Sequence, residues 1–326
     1  MKVKKEYILL VAIILALSIY LLKRNTNKLN YQLPSLSNIP IETISKIEIS
    51  GPDSHITLKK KDKKWYVGKM NYLADSNKTK DILDVIGRLS LTALVSESKE
   101  YSRYHLHDNK KISVKAWVDD SIKREFMIGK VASSYQHTFV KISGDHRVYH
   151  AIGNFRGKFD QTIDKLRDKL VLSFEKGDIH EITITKGNQS LVYKREPAAV
   201  LVEPMNKKNE PASPSEKSGQ TWKRSDSENV DQSSLESFLD TLSHLRCDSY
   251  IPNNTKDDFT KPLRSILLTG KEKYTLSIFP EFEKESEKYP ALSSGKDYPF
   301  LLTKLQVENI IKTSGWPDKE FDKPQD

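Results

Sequence analysis

The stretch KISVKAWVDDSIKREFMIG, Lys111 to Gly129, decides how this chain folds. Ile112, Val114, Ala116 and Val118 alternate with polar residues, the period of a strand with one face in a core. Asp119-Asp120 supplies a turn, and the alternation returns through Ile122 to Ile128. The segment RSILLTGKEKYTLSIF, Arg264 to Phe279, repeats the arrangement around Gly270-Lys271-Glu272. Two such hairpins far apart in one chain point to an internal repeat.

Moving outward from each hairpin extends the likeness. ISKIEIS carries Ile44, Ile47 and Ile49, and IHEITIT carries Ile179, Ile182 and Ile184. Each opens a strand pair that ends at a tryptophan, Trp65 or Trp222. An acidic residue, Asp75 or Asp231, then precedes a helical apolar pattern. These are Ile82, Leu83, Ile86 and Leu89 in the first half, and Leu235, Phe238, Leu239, Leu242 and Leu245 in the second. Behind each central hairpin comes another, TFVKISGDHRVYHA and YPALSSGKDYPFLL. Each half is expected to close with a helix, near Asn154 to Leu170 and near Thr303 to Thr313. Ile47 and Ile182 lie 135 residues apart, whereas Trp65 and Trp222 lie 157 apart. The insert 197–219, rich in Pro, Ser, Lys and Glu, absorbs the difference as a flexible loop.

The expected fold class is therefore α+β. An N-terminal transmembrane helix is followed by two similar α+β domains with mixed or antiparallel sheets. The expected division is an anchor over 1–24, a tether over 25–43, a first repeat over 44–172, a second over 173–315, and a frayed tail over 316–326. The anchor rests on Tyr7 to Leu22, an uncharged run between Lys5 and Lys23. It would span about 24 Å as a helix, with lysine stems reaching outward to complete the crossing. Cleavage as a signal peptide is the rival reading, but the small-residue pair Ala16 and Ser18 lies inside the apolar run. Flanking charges barely orient the segment; a short tail inside and a large domain outside is the expectation.

Composition narrows the function classes. The chain has 326 residues, 30% of them charged, and a formal net charge of +9. The excess lysine is diffuse. Even the run from Lys59 to Lys64 is flanked by the strand residues Leu58 and Trp65 and reads as a solvated turn. Such a surface suits weak attraction to anionic lipid or other polyanions rather than a nucleic-acid module. The single cysteine, Cys247, excludes a disulfide framework. It sits at the end of a helical apolar pattern and reads as a small buried residue.

Chemistry-bearing groups are sparse. His105 and His107 with Asp108 could share a strand face and hold a metal, but no third ligand is evident among His137, His146 and His150. Ser96 with Lys99, and Ser173 with Lys176, have the Ser-x-x-Lys spacing of penicillin-interacting serines, with Lys217-Ser218-Gly219 as a distant partner. Ile128 to Lys130 lacks the upstream glycine of a phosphate loop, and Gly153 to Lys158 lacks the third glycine of a dinucleotide fingerprint. Asp119-Asp120 and Asp257-Asp258 fall in turns. No catalytic, cofactor-binding or metal residue is expected, and no cofactor.

Taken together, the KKWYV strand end, ADSNKTKDILDVIGRLS, YSRYHL, FMIGK, and TFVKISGDHRVYHA leading into LRDKLVL resemble a bacterial family, number 4340 among domains of unknown function. The likeness covers Ile44 to Val171 well, and the second half as a degraded copy. His105 departs from it, since a glycine commonly follows the aromatic there. The resemblance implies a membrane-anchored, extracytoplasmic (periplasmic) protein of the inner membrane. Its members are often encoded beside ABC-type export components or gliding auxiliaries. The expectation is a non-enzymatic accessory protein whose partners are the membrane and subunits of a membrane complex. The alternatives are a polyanion-binding module of the envelope and a cell-envelope hydrolase.

Overall fold

Alternation does set the strands. In the computed structural model, which describes residues 5–23, 31–197, 220–226, 229–252, 254–281 and 287–316, the hairpin at Lys111–Gly129 forms as read. Ile112 faces Ile128 and Val114 faces Phe126 across it, and all four are buried.

In chain order the elements are α1 (Lys5–Lys23), β1 (Ile44–Ser50), β2 (His55–Lys61), β3 (Lys64–Val67), β4 (Tyr72–Leu73), α2 (Ser76–Gly87) and β5 (Leu91–Ser96). Next come β6 (Ile112–Val118), β7 (Ser121–Val131), β8 (His137–Ile142), β9 (Val148–Ile152), α3 (Arg156–Phe159) and α4 (Ile163–Leu166). The chain continues through β10 (Leu170–Ser173), β11 (Glu181–Lys186), β12 (Gln189–Pro197), β13 (Gln220–Arg224), α5 (Gln232–Ser243), β14 (His244–Arg246) and β15 (Ser249–Tyr250). It ends with β16 (Arg264–Thr269), β17 (Lys273–Ile278), β18 (Lys288–Ser293), β19 (Phe300–Thr303) and α6 (Lys304–Thr313).

Two units emerge from the contacts: residues 1–71 with 76–161, and residues 72–75 with 162–326. The first carries the strand order β3-β2-β1-β6-β7-β8-β9-β5, and the second β13-β12-β11-β16-β17-β18-β19-β15. The two orders are the same. In each unit a helix with one apolar stripe covers the sheet: α2 buries Ile82, Leu83 and Ile86, and α5 buries Leu235, Phe238, Leu239 and Leu242. In the second unit that stripe packs into one cluster with Ile182, Ile184, Ile266, Leu268, Phe300 and Val307. Burying each such side chain contributes roughly 1.5–3 kcal/mol.

The expected fold class needs correction. The protein is mostly β, with 40% strand and 25% helix, and every described pairing between named strands is antiparallel. The helix expected over Asn154 to Leu170 breaks into two single turns, α3 and α4. Between them Thr162 is extended, and its side chain accepts from the Lys165 amide to start the second turn. The transmembrane helix is overturned as well. A helix does form at Lys5–Lys23, but among the described residues no helix is long and apolar enough to cross a membrane. Its uncharged run covers about 24 Å at 1.5 Å per residue, short of a hydrocarbon core of roughly 30 Å.

The tether is shorter than its composition suggested. Ile39 donates its amide to the Gly87 carbonyl at 3.0 Å. Buried Arg124 on β7 donates to the Ile86 carbonyl at 2.8 Å and also to the Ser37 carbonyl. The guanidinium thus satisfies the Ile86 carbonyl at the C-terminus of α2, where the helix dipole favours a cation, and fastens Ser37 alongside. Burial alone lowers the Arg124 pKa. Residues 198–219 of the insert and 317–326 of the tail lie outside the described residues.

Candidate functional site

The segment Thr162–Lys169 builds a cluster in which a buried cation, Arg167, stands among aromatic rings without a carboxylate of its own. Thr162 caps α4, which ends after Leu166, and Arg167 then turns extended. There it forms an antiparallel bridge with Ala74. Asp75 donates its amide to the Leu166 carbonyl at 2.8 Å, and Asp168 donates its amide to the Leu73 carbonyl at 2.8 Å. The short strand β4 is thereby laid beside Arg167, and all of these residues belong to the second unit.

Arg167 is held by aromatic rings. Its Cζ lies 3.6 Å from the centroid of Tyr72 and 3.5 Å from that of Tyr250. Two rings so close cannot share one face of a guanidinium, so the group is clamped between them. Tyr298 stands 5.3 Å from Cζ and meets Tyr72 edge-on at 5.2 Å. Stacking of this kind is a preferred mode for arginine. Tyr250 is fixed in turn: its hydroxyl donates to the Asp168 carbonyl at 2.8 Å and its amide to Asp164 Oδ1 at 3.2 Å.

The charges around the clamp are paired with one exception. Lys169 meets Asp164 at 2.6 Å, Lys296 meets Asp168 at 3.1 Å, and Arg246 meets Asp75 at 3.0 Å. Among the described residues the Arg167 guanidinium makes no hydrogen bond or ion pair, yet none of its nitrogens is sealed from solvent. The residue is 9% exposed, with both faces covered and part of its edge open. Burial lowers its pKa, opposed by Tyr250, Tyr72 and Asp164, and arginine remains charged throughout the physiological range. Beside it Cys247 is buried, and burial pushes its thiol up to about 11. A thiol held protonated is a poor nucleophile.

The other candidates scatter. His105 and His107 lie 6.5 Å apart in the turn after Tyr104 rather than on a strand. Asp108 is engaged by Lys111. His137 and His150 stack on each other at 5.2 Å on β8 and β9, and burial, then His137, lowers the His150 pKa. Among the described residues no group of three or more His, Cys, Asp or Glu is placed to hold a metal. Ser96 bonds Ser98 at 2.9 Å rather than Lys99, and Lys176 pairs with Asp240 rather than Ser173. Lys217-Ser218-Gly219 lies outside the described residues. Gly129, within Ile128–Lys130, is a packing glycine: a Cβ there would sit 2.2 Å from the Tyr104 carbonyl oxygen. Gly153, with φ of 97°, turns the chain after β9. Asp119 occupies a left-handed turn position, and Asp258 accepts from the Thr255 amide at 2.7 Å. Cys247 follows β14, beyond the helix expected to carry it.

Sequence reasoning passed over Arg167, Tyr72, Tyr250 and Tyr298, because four separate segments contribute them and no spacing unites them. The traces were LRDKLVL, noted as part of the family likeness, and the hairpin YPALSSGKDYPFLL, which carries Tyr298.

Fold and site together define a two-unit antiparallel β protein with an aromatic-clamped arginine, equipped to hold an anionic group. The chain belongs to the family described as Domain of unknown function (DUF4340), whose model matches residues 65–265, more than half its length. Tyr72, Arg167 and Tyr250 fall inside that match. No curated protein and no solved structure matches the chain.

Proposed function

We propose that this protein is a non-enzymatic accessory protein of the bacterial envelope. Its two β units work on the extracytoplasmic side of the inner membrane, beside subunits of an ABC-type export complex. The observation that carries the reading is Arg167, a cation clamped on both faces, open at its edge and free of any neighbouring nucleophile–base pair. Such a group is suited to recognising an anion. The family likeness supports the setting.

The test is purification of the full chain from detergent-solubilised membranes together with its neighbours. Co-elution with the transport subunits is the expected result. Elution alone, while those subunits stay together, removes the proposal. A second reading, a polyanion-binding module, is favoured by the net charge of +9. It requires retention that falls steeply with salt, whereas a fitted protein interface responds weakly.

A further inference from the structure

We propose that the edge of Arg167 is a binding site for a single carboxylate carried by an extended peptide, either its C-terminus or an acidic side chain. The inference rests on the recognition role argued above and adds the chemistry of what is recognised. A guanidinium presents parallel N–H donors in a rigid fork that matches the two oxygens of a carboxylate. Here the fork is pre-organised. Tyr72 and Tyr250 hold its plane at 3.6 and 3.5 Å, so little rotamer entropy is left to lose on binding.

Charge selects the carboxylate. Lys169, Lys296 and Arg246 are each matched by an aspartate, and Arg167 supplies one positive charge in excess. A monoanion balances that charge. A phosphate dianion would bring a second negative charge among Asp75, Asp164 and Asp168. The tyrosines offer apolar surface to the chain that carries the carboxylate, which favours a peptide over a free small anion.

The experiment uses the full chain in detergent. Three probes are titrated: acetyl-Ala-Ala with a free C-terminus, the same peptide as its C-terminal amide, and inorganic phosphate. The readouts are the Arg167 Nε–Hε resonance and the thermal shift. The free acid should move the resonance and saturate at about millimolar concentration, as a single charged hydrogen-bonded pair allows. The amide should leave it unmoved. Arg167→Lys, which keeps the charge and loses the fork, should weaken binding at least 10-fold. A free acid that binds no better than the amide overturns the proposal, as does phosphate binding more tightly than the free acid. The comparison of acid with amide is made on the wild-type chain, so it survives a failure of Arg167→Lys to fold. Peptide binding without co-elution of transport subunits would sink the accessory role alone, and co-elution without peptide binding would sink this site alone.

Discussion

The two units share a strand order, and the difference that builds the site lies in the segment that follows the covering helix. In the first unit α2 leads into β5, six residues that pair along β9. In the second, the equivalent stretch is cut in two. β14 pairs with β10, the chain turns at Cys247 and Asp248, and the two residues of β15 join β19. That interruption places Tyr250 on the face of Arg167. A continuous strand in its place would spend the same residues on a sheet ladder, where alternate side chains point to opposite faces. The site arises where one copy of a repeated pattern departs from the other.

Three measurements bear on that contrast. The largest effect is expected from Phe238→Ala. Phe238 is fully buried on α5, beneath the interrupted strand, and its loss should cost roughly 3–5 kcal/mol in denaturant unfolding. A cost near zero would mean that α5 does not hold the second unit's core.

A smaller effect follows from Cys247, which sits in the interruption itself. Burial raises its thiol from 9.0 to about 11, so the folded state favours the neutral form. Its contribution is complete below pH 9 and is lost as pH rises towards about 11. Stability should decline over that window in the wild type and less steeply in Cys247→Ala. Equal slopes would show that the turn is open to water.

The smallest change belongs to the first unit. His105 occupies a left-handed position, φ 55° and ψ 37°, where a side chain is strained. His105→Gly should therefore raise stability by roughly 0.5–1 kcal/mol, as read from the denaturation midpoint. A loss would show that the imidazole makes a contact worth more than the strain it carries.

A glycine would suit a backbone that turns left-handed, and this chain makes the turn while carrying histidine. The strain is visible only in φ. From the letters alone His105 and His107 could share a strand face, although no metal residue was expected there.

What the sequence determined by itself is local. Alternation placed β6 with β7 and β16 with β17, turn residues placed their ends, and helical spacing placed α2 and α5. These signals survive because each depends on residues a few positions apart. Length and charge, by contrast, misled at the ends. The run Tyr7–Leu22 does form a helix, yet no described helix is long and apolar enough to cross a membrane. Asn, Ser and Pro suggested a free tether where Arg124 fastens Ser37.

Only the tertiary structure decided the site and the weight of β over α. Asp75 reads as a helix cap, and the fold in addition pairs it with Arg246, 171 positions away. Tyr72, Arg167, Tyr250 and Tyr298 become neighbours because β4 is laid against the end of α4 and because the strand after α5 is broken. Ring stacking on a guanidinium has no periodicity and no fixed separation along the chain. It exists only once distant backbone segments have been brought together by their own hydrogen bonds.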